Sequence, residues 1–121
     1  MYKLIILIEE LADTQGFEKD WPEFLKLAEA MPGLQRETTS WSEGMIYGNY
    51  HVTMIHELYF NDRDSLQRAM ESTAGQAAGR LLQRITNGQM TLLFAHHLED
   101  DLENIRAFRE AQQSQGEDAD H

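Results

Sequence analysis

The 121-residue chain has no cysteine. That excludes disulfides, cysteine nucleophiles and thiolate metal sites together, and it fits a reducing compartment. Basic residues are also scarce: 10 Lys and Arg stand against 21 Asp and Glu, for a net charge of −11. Binding to nucleic acid, which needs a basic surface, is disfavoured, as is binding to an anionic membrane. No apolar run approaches membrane length. Leu4 to Ile8 is apolar behind Lys3, but Glu9 and Glu10 follow at once and no small-residue cleavage site is present. The expectation is a soluble, cytoplasmic protein without a secretory leader. There is no phosphate loop, dinucleotide fingerprint or zinc-helix motif, and Ser40, Ser42 and Ser65 lack a nucleophile-elbow setting.

The length fits one domain that buries roughly two-thirds of its unfolded surface. Tyr2 to Glu9 reads as a strand buried on both faces. Leu11 to Gly16 reads as a loop. Asp20-Trp21-Pro22-Glu23 then carries a capping residue, a first-turn proline and a Glu three residues on, which predicts a helix start. Trp21, Phe24, Leu25, Ala28 and Met31 form its apolar stripe, and Pro32-Gly33 stops it. Leu34 to Trp41 reads as an edge strand, Ser42 to Gly48 as a loop, and Asn49 to Phe60 as a third strand. Asn61 or Asp62 caps the next helix, in which Leu66, Ala69 and Met70 point inward. Ser72 to Gly75 breaks it, and Ala77, Ala78, Leu81, Leu82 and Ile85 give another amphipathic helix. Asn87-Gly88 is a turn, and Gln89 to Leu98 is the fourth strand. The order βαββαβ is ferredoxin-like: a four-stranded antiparallel sheet, order 4-1-3-2, with helices on one face. The uncovered face is a large apolar patch, which marks association or binding.

Charge divides the chain. From Glu99 onward there are eight acids and two arginines, or −6 of the −11. Leu98, Leu102, Ile105 and Phe108 continue at helical spacing. We therefore divide the chain into a domain over residues 1–98, a helical extension over 99–111, and an acidic disordered tail over 112–121.

Particular stretches resemble the EthD-like family of small dimeric α/β-barrel proteins. They are Glu57-Leu58-Tyr59-Phe60, Asp64-Ser65-Leu66 and Ser72-Thr73-Ala74-Gly75-Gln76-Ala77, with Phe17 and Trp21 and then Pro32-Gly33-Leu34 in the first half. The resemblance spans about Tyr2 to Leu98. It implies a homodimer in which two sheets close into one barrel around a small, largely apolar organic ligand, with no bound cofactor. It also implies possible chemistries of oxygenase, cyclase or isomerase type. One departure matters: where many members carry a histidine four residues after the helix tryptophan, this chain has Leu25, and leucine moves no protons.

Candidate site residues follow from strand alternation. If Leu58 and Phe60 face the helices, then Thr53, Ile55, Glu57 and Tyr59 face the barrel interior, and His56 faces the helices. A carboxylate in an apolar cavity has a raised pKa and can act as general acid or base, so Glu57 is the first catalytic candidate, assisted by Tyr59, His51 or His56. The competing reading is a Glu57 charge paired across the dimer or bonded to backbone. For His56 the competing reading is hydrogen-bonded packing. Trp41 and Tyr47, with Tyr50, bracket the loop between the second and third strands, where they either line a cavity mouth or pack the hairpin. With strands one and three taken as parallel, His51 and His96 or His97 flank Tyr2 and Lys3 at one sheet end. They then lie on the order of 10 Å apart, too far to share a metal within one chain. Three functions stay open: a cofactor-independent catalyst, a non-catalytic binding module, and haem or metal binding through histidines across a dimer.

Overall fold

A computed structural model describes the backbone of residues 1–119 and the side chains of residues 1–113. The elements run β1 (Tyr2–Glu9), α1 (Thr14–Glu29), β2 (Leu34–Trp41), β3 (Val52–Phe60), α2 (Arg63–Glu71), α3 (Thr73–Thr86), β4 (Met90–His96) and α4 (Leu102–Ala119). The four strands form one sheet in the order β2-β3-β1-β4, and every neighbouring pair is antiparallel. This is the ferredoxin-like α+β architecture. No described helix is long and apolar enough to cross a membrane.

The parallel pairing of strands one and three is corrected: Tyr2 lies opposite Phe60 and Ile8 opposite Met54. The connectivity explains it. Each helical crossover returns the chain in its original direction, whereas the β2–β3 loop over residues 42–51 reverses it, so β3 and β4 both run against β1.

Local signals set most element ends. The first helix starts earlier than Asp20, because Asp13 is the working cap and its carboxylate accepts from Gly16 N at 2.9 Å. Pro22 then sits inside the helix, where it forfeits one backbone bond. Packing outweighs that loss, since Phe17, Phe24 and Ala28 are all buried on one face. Asp62 caps α2 by accepting from Ser65 N at 2.7 Å, and Ser72 both ends α2 and caps α3. A Cβ on Gly75 would collide with the Ala69 carbonyl, so only glycine allows this tight junction. Asn87 and Gly88, at φ 53° and 76°, turn the chain into β4.

The core lies between the sheet and α1–α3. Leu4, Ile6 and Ile8 of β1 and Met54, Leu58 and Phe60 of β3 meet Phe24, Ala28, Leu66, Ala69, Leu81 and Leu82. Each large side chain so buried contributes about 1.5–3 kcal/mol. Met70, expected inward, is instead exposed. The last helix is longer than expected, since residues 112–119 are helical. Residues 120 and 121 of the expected tail lie outside the described residues.

Candidate functional site

Strand pairing lays the other sheet face out as three rows. One row is Arg36, Tyr59, Lys3 and Ala95; the next is Thr38, Glu57, Ile5 and Leu93; the third is Ser40, Ile55, Leu7 and Thr91. Paired residues share a face, and side chains alternate along each strand. Helices α1–α3 pack on the opposite face. Here Ile5, Leu7 and Ile55 are half-buried and Leu93 is 48% exposed. The face thus carries an apolar patch of Ile5, Leu7, Ile55 and Leu93, with charged and hydroxyl groups gathered at one corner and hydroxyls at the ends of the third row.

Glu57 is the centre of that corner. Its Oε1 accepts from Lys3 Nζ at 3.0 Å. Its Oε2 accepts from the Tyr59 hydroxyl at 3.0 Å and from Thr38 Oγ1 at 3.2 Å. Burial pushes the carboxyl pKa up. The hydrogen bonds from Lys3 and Tyr59, the Lys3 charge and the Thr38 bond together outweigh burial, and the pKa is lowered. The expected raised pKa is therefore corrected: apolar Ile5 and Leu93 share its row, but three donors converge on the carboxylate and favour its charged form.

Tyr59 is nearly covered by the same group. The Arg36 guanidinium lies 4.2 Å from its ring centroid and Lys3 Nζ lies 5.5 Å from it. The His97 ring meets it edge-on at 4.9 Å. Arg36 reaches Glu99 Oε2 at 3.4 Å, and His97 Nε2 lies 3.6 Å from the same oxygen. Both cations of the corner are thus neutralised within the chain, and the phenol is locked between them.

His56, adjacent to Glu57 in sequence, points the other way. It is 1% exposed, edge-on to Trp21 at 5.2 Å and to Phe24 at 6.1 Å. Its Nδ1 and Thr39 Oγ1 are 2.8 Å apart. Its Nε2 lies 3.3 Å from Glu37 Oε2 without the alignment of a hydrogen bond. Burial pushes the imidazole pKa down to about 4, against a small upward pull from the Glu57 charge, so the ring is neutral at pH 7. Glu37 is pushed up, first by burial and then by the hydrogen bond to and charge of Glu29.

The remaining sequence candidates do not join Glu57. His51 is exposed at the far end of β3 beside Glu43, Met45 and Tyr50, about 20 Å along the strand from Glu57. Antiparallel pairing also puts it at the opposite sheet end from His96, which stacks on Tyr2 at 4.9 Å. Thr53 faces the open side, but its hydroxyl donates to the Ile8 and Glu9 carbonyls at 3.1 Å each, bridging the bulge there. Ile55 lies on the open face. Trp41 pairs with Met54 and therefore shares the helix side, exposed at the sheet edge. Tyr47 is in the loop and 96% exposed. Among the described residues no cluster of three or more His, Asp or Glu is placed to hold a metal.

Lys3, Arg36 and Thr38 are site residues that sequence reasoning misses. Their signal is the register: once β1 and β3 run antiparallel, Lys3 falls opposite Tyr59 and diagonal to Glu57.

The architecture is ferredoxin-like, and in fold the chain resembles the EthD family. The chain is similar in structure to an ethyl tert-butyl ether d (EthD) family protein from Bacillus halodurans c-125, with TM-score 0.74 and 28% identity over 81% of this chain and 99% of that one. It has the fold of a dimeric ferredoxin-like protein of unknown function from Thermobifida fusca (TM-score 0.61, 15% identity, 79% and 90% covered). It shares that fold with SnoaB, a cofactor-independent oxygenase from Streptomyces nogalater (TM-score 0.55, 13% identity, 84% and 93% covered). No family model and no curated protein matches the chain.

Proposed function

We propose that the chain works as a homodimer whose open sheet faces close on each other around a small, largely apolar organic molecule. The observation that carries this is the open face itself. Ile5, Leu7, Ile55 and Leu93 form an uncovered apolar surface beside a pre-assembled Lys3–Glu57–Tyr59–Thr38 corner. An apolar wall with a few convergent polar groups is the usual make-up of a small-molecule site. That the Thermobifida fusca protein of the same fold is dimeric supports a homodimer. In this reading Ile55 contacts the apolar body of the ligand, and Tyr59 and Glu57 fix its polar end. Trp41 and Tyr47 lie off this face and serve at most the rim.

Binding is the better-supported function. A carboxylate held below its usual pKa by three donors is a weak base, and Leu25 stands where the EthD-like resemblance implies a histidine. Cofactor-independent proton transfer is the second reading. It is favoured by the Tyr59–Glu57 contact, through which a phenolic proton can pass to the carboxylate. The likeness to a cofactor-independent oxygenase adds the example of such chemistry on this fold, although fold alone does not select a reaction.

Native mass spectrometry of the protein purified from its host tests the proposal. A dimer carrying added small-molecule mass that is lost in Glu57→Gln is the expected result. A monomer at micromolar concentration would overturn it. Turnover of the identified ligand that survives Glu57→Gln would eliminate the carboxylate mechanism.

A further inference from the structure

Helix α4 is amphipathic, and among the described side chains all of those over 98–113 are exposed. The exposed side chains include Leu98, Leu102, Ile105 and Phe108, the last at 64%. The EthD family relative is matched over 99% of its length by only 81% of this chain. Most of a helix's stability in a protein comes from packing its apolar face, and this one leaves its apolar stripe bare. It needs a partner.

The order of side chains says which one. At 100° per residue, Asp101, Leu102, Ile105, Phe108 and Arg109 lie within about 60° of a line through Ile105. Along the helix axis the charged pair brackets the apolar three, and around it Asp101 and Arg109 lie about 40° to either side of Ile105, with Leu102 and Phe108 about 60° to either side. About that centre the stripe is complementary to its own reverse. Turned end for end on a second copy, Ile105 meets Ile105, Leu102 meets Phe108, and Asp101 meets Arg109. A parallel pairing instead sets Asp101 against Asp101 and Arg109 against Arg109, which is unfavourable. An isologous contact about a twofold axis requires self-complementarity of this kind.

We infer that α4 is an interaction surface for α4 of a second copy, paired antiparallel about Ile105. Three apolar layers and two ion pairs then cover a stripe that one chain leaves in water. The opposed helix dipoles add to the same preference. The Asp101 carboxylate already caps α4 through Asn104 N at 2.9 Å, and it retains acceptor capacity for the partner's Arg109. This inference does not rest on the barrel reading, because no residue of the open sheet face takes part in it.

The absence of native cysteine makes the test clean. Single-cysteine chains are made by Ile105→Cys, Leu102→Cys, Phe108→Cys and, on the far side of the helix, Glu103→Cys. Each is checked for native circular dichroism and oxidised mildly at micromolar concentration. Ile105→Cys should cross-link to itself at least about 100-fold faster than Glu103→Cys, the ratio expected when pairing raises the effective thiol concentration toward millimolar. Leu102→Cys mixed with Phe108→Cys should give a mixed dimer faster than either alone. Equal rates for Ile105→Cys and Glu103→Cys would overturn the inference. So would fastest self-linking by Leu102→Cys, which is the signature of parallel pairing. A failure of the barrel reads out separately, as loss of ligand mass with these cross-links intact.

Discussion

His56 and Glu57 are consecutive residues of one strand and live in opposite regimes. His56 is sealed between Trp21, Phe24, Thr39 and Glu37, and burial strips it of its proton. Glu57 sits on the uncovered side, where Lys3, Tyr59 and Thr38 hold its charge in place. The helix side of the sheet is finished, with apolar groups packed and its ionisable ring neutral. The open side keeps a formed charged corner next to bare Leu93 and half-covered Ile5. A sheet treats its two faces so differently when only one of them is closed by its own chain.

Breaking each face in turn tests that contrast. Ile6→Ala removes fully buried volume from the helix side and should cost about 2–5 kcal/mol in urea unfolding. Leu93→Ala should leave the stability of a single chain almost unchanged. Equal losses would mean that the two faces are not different. The pH dependence is a sharper probe. The folded His56 pKa of about 4 lies below its ordinary 6.5, so the neutral ring is the stabilised form. Its contribution is fully present above pH 6.5 and is lost as pH falls toward 4, by roughly 3 kcal/mol at most. His56→Gln should flatten that slope whatever it does to stability at pH 7. Glu57 has the same sign but a lower window: its contribution is present above the ordinary carboxylate pKa and is lost as pH falls through the lowered one.

On the open side, Glu57→Gln should cost about 1–3 kcal/mol, because it leaves the half-buried Lys3 ammonium without its counter-charge. Lys3→Met in that background should cost little more, and a double-mutant cycle measures the coupling. A coupling energy near zero would show that the corner is a surface ion pair and not a built site. Tyr47→Ala, in the exposed loop, should stay within about 0.5 kcal/mol of wild type.

The sequence made the covered face legible and the open face only in part. Period-two alternation in Val52–Phe60 assigns His56 and Glu57 to opposite sides, and the Asp62, Ser72 and Asn87-Gly88 signals mark three element ends. Two other features misled. Pro22 resembles a helix start, whereas the Asp13 cap and the buried Phe17 pull α1 back to Thr14. Taking strand three as parallel to strand one is the other, and because register is a long-range property of the sheet, that one inversion hides Lys3 from Glu57 and puts His51 at the same sheet end as His96. The lowered pKa of Glu57 was out of reach for the same reason. All but one of its donors come from strands far away in sequence, with Lys3 on β1 and Thr38 on β2.

Hydroxyl-radical footprinting of Leu93 in the native protein at micromolar concentration, normalised to the urea-unfolded chain, tests the closed open face most directly. The single chain leaves this side chain 48% exposed. Closure by a second copy predicts modification of Leu93 suppressed well below that fraction, with Tyr47 in the loop still freely modified. Leu93 modified at close to half its unfolded rate would contradict the dimeric cavity and every role assigned to it.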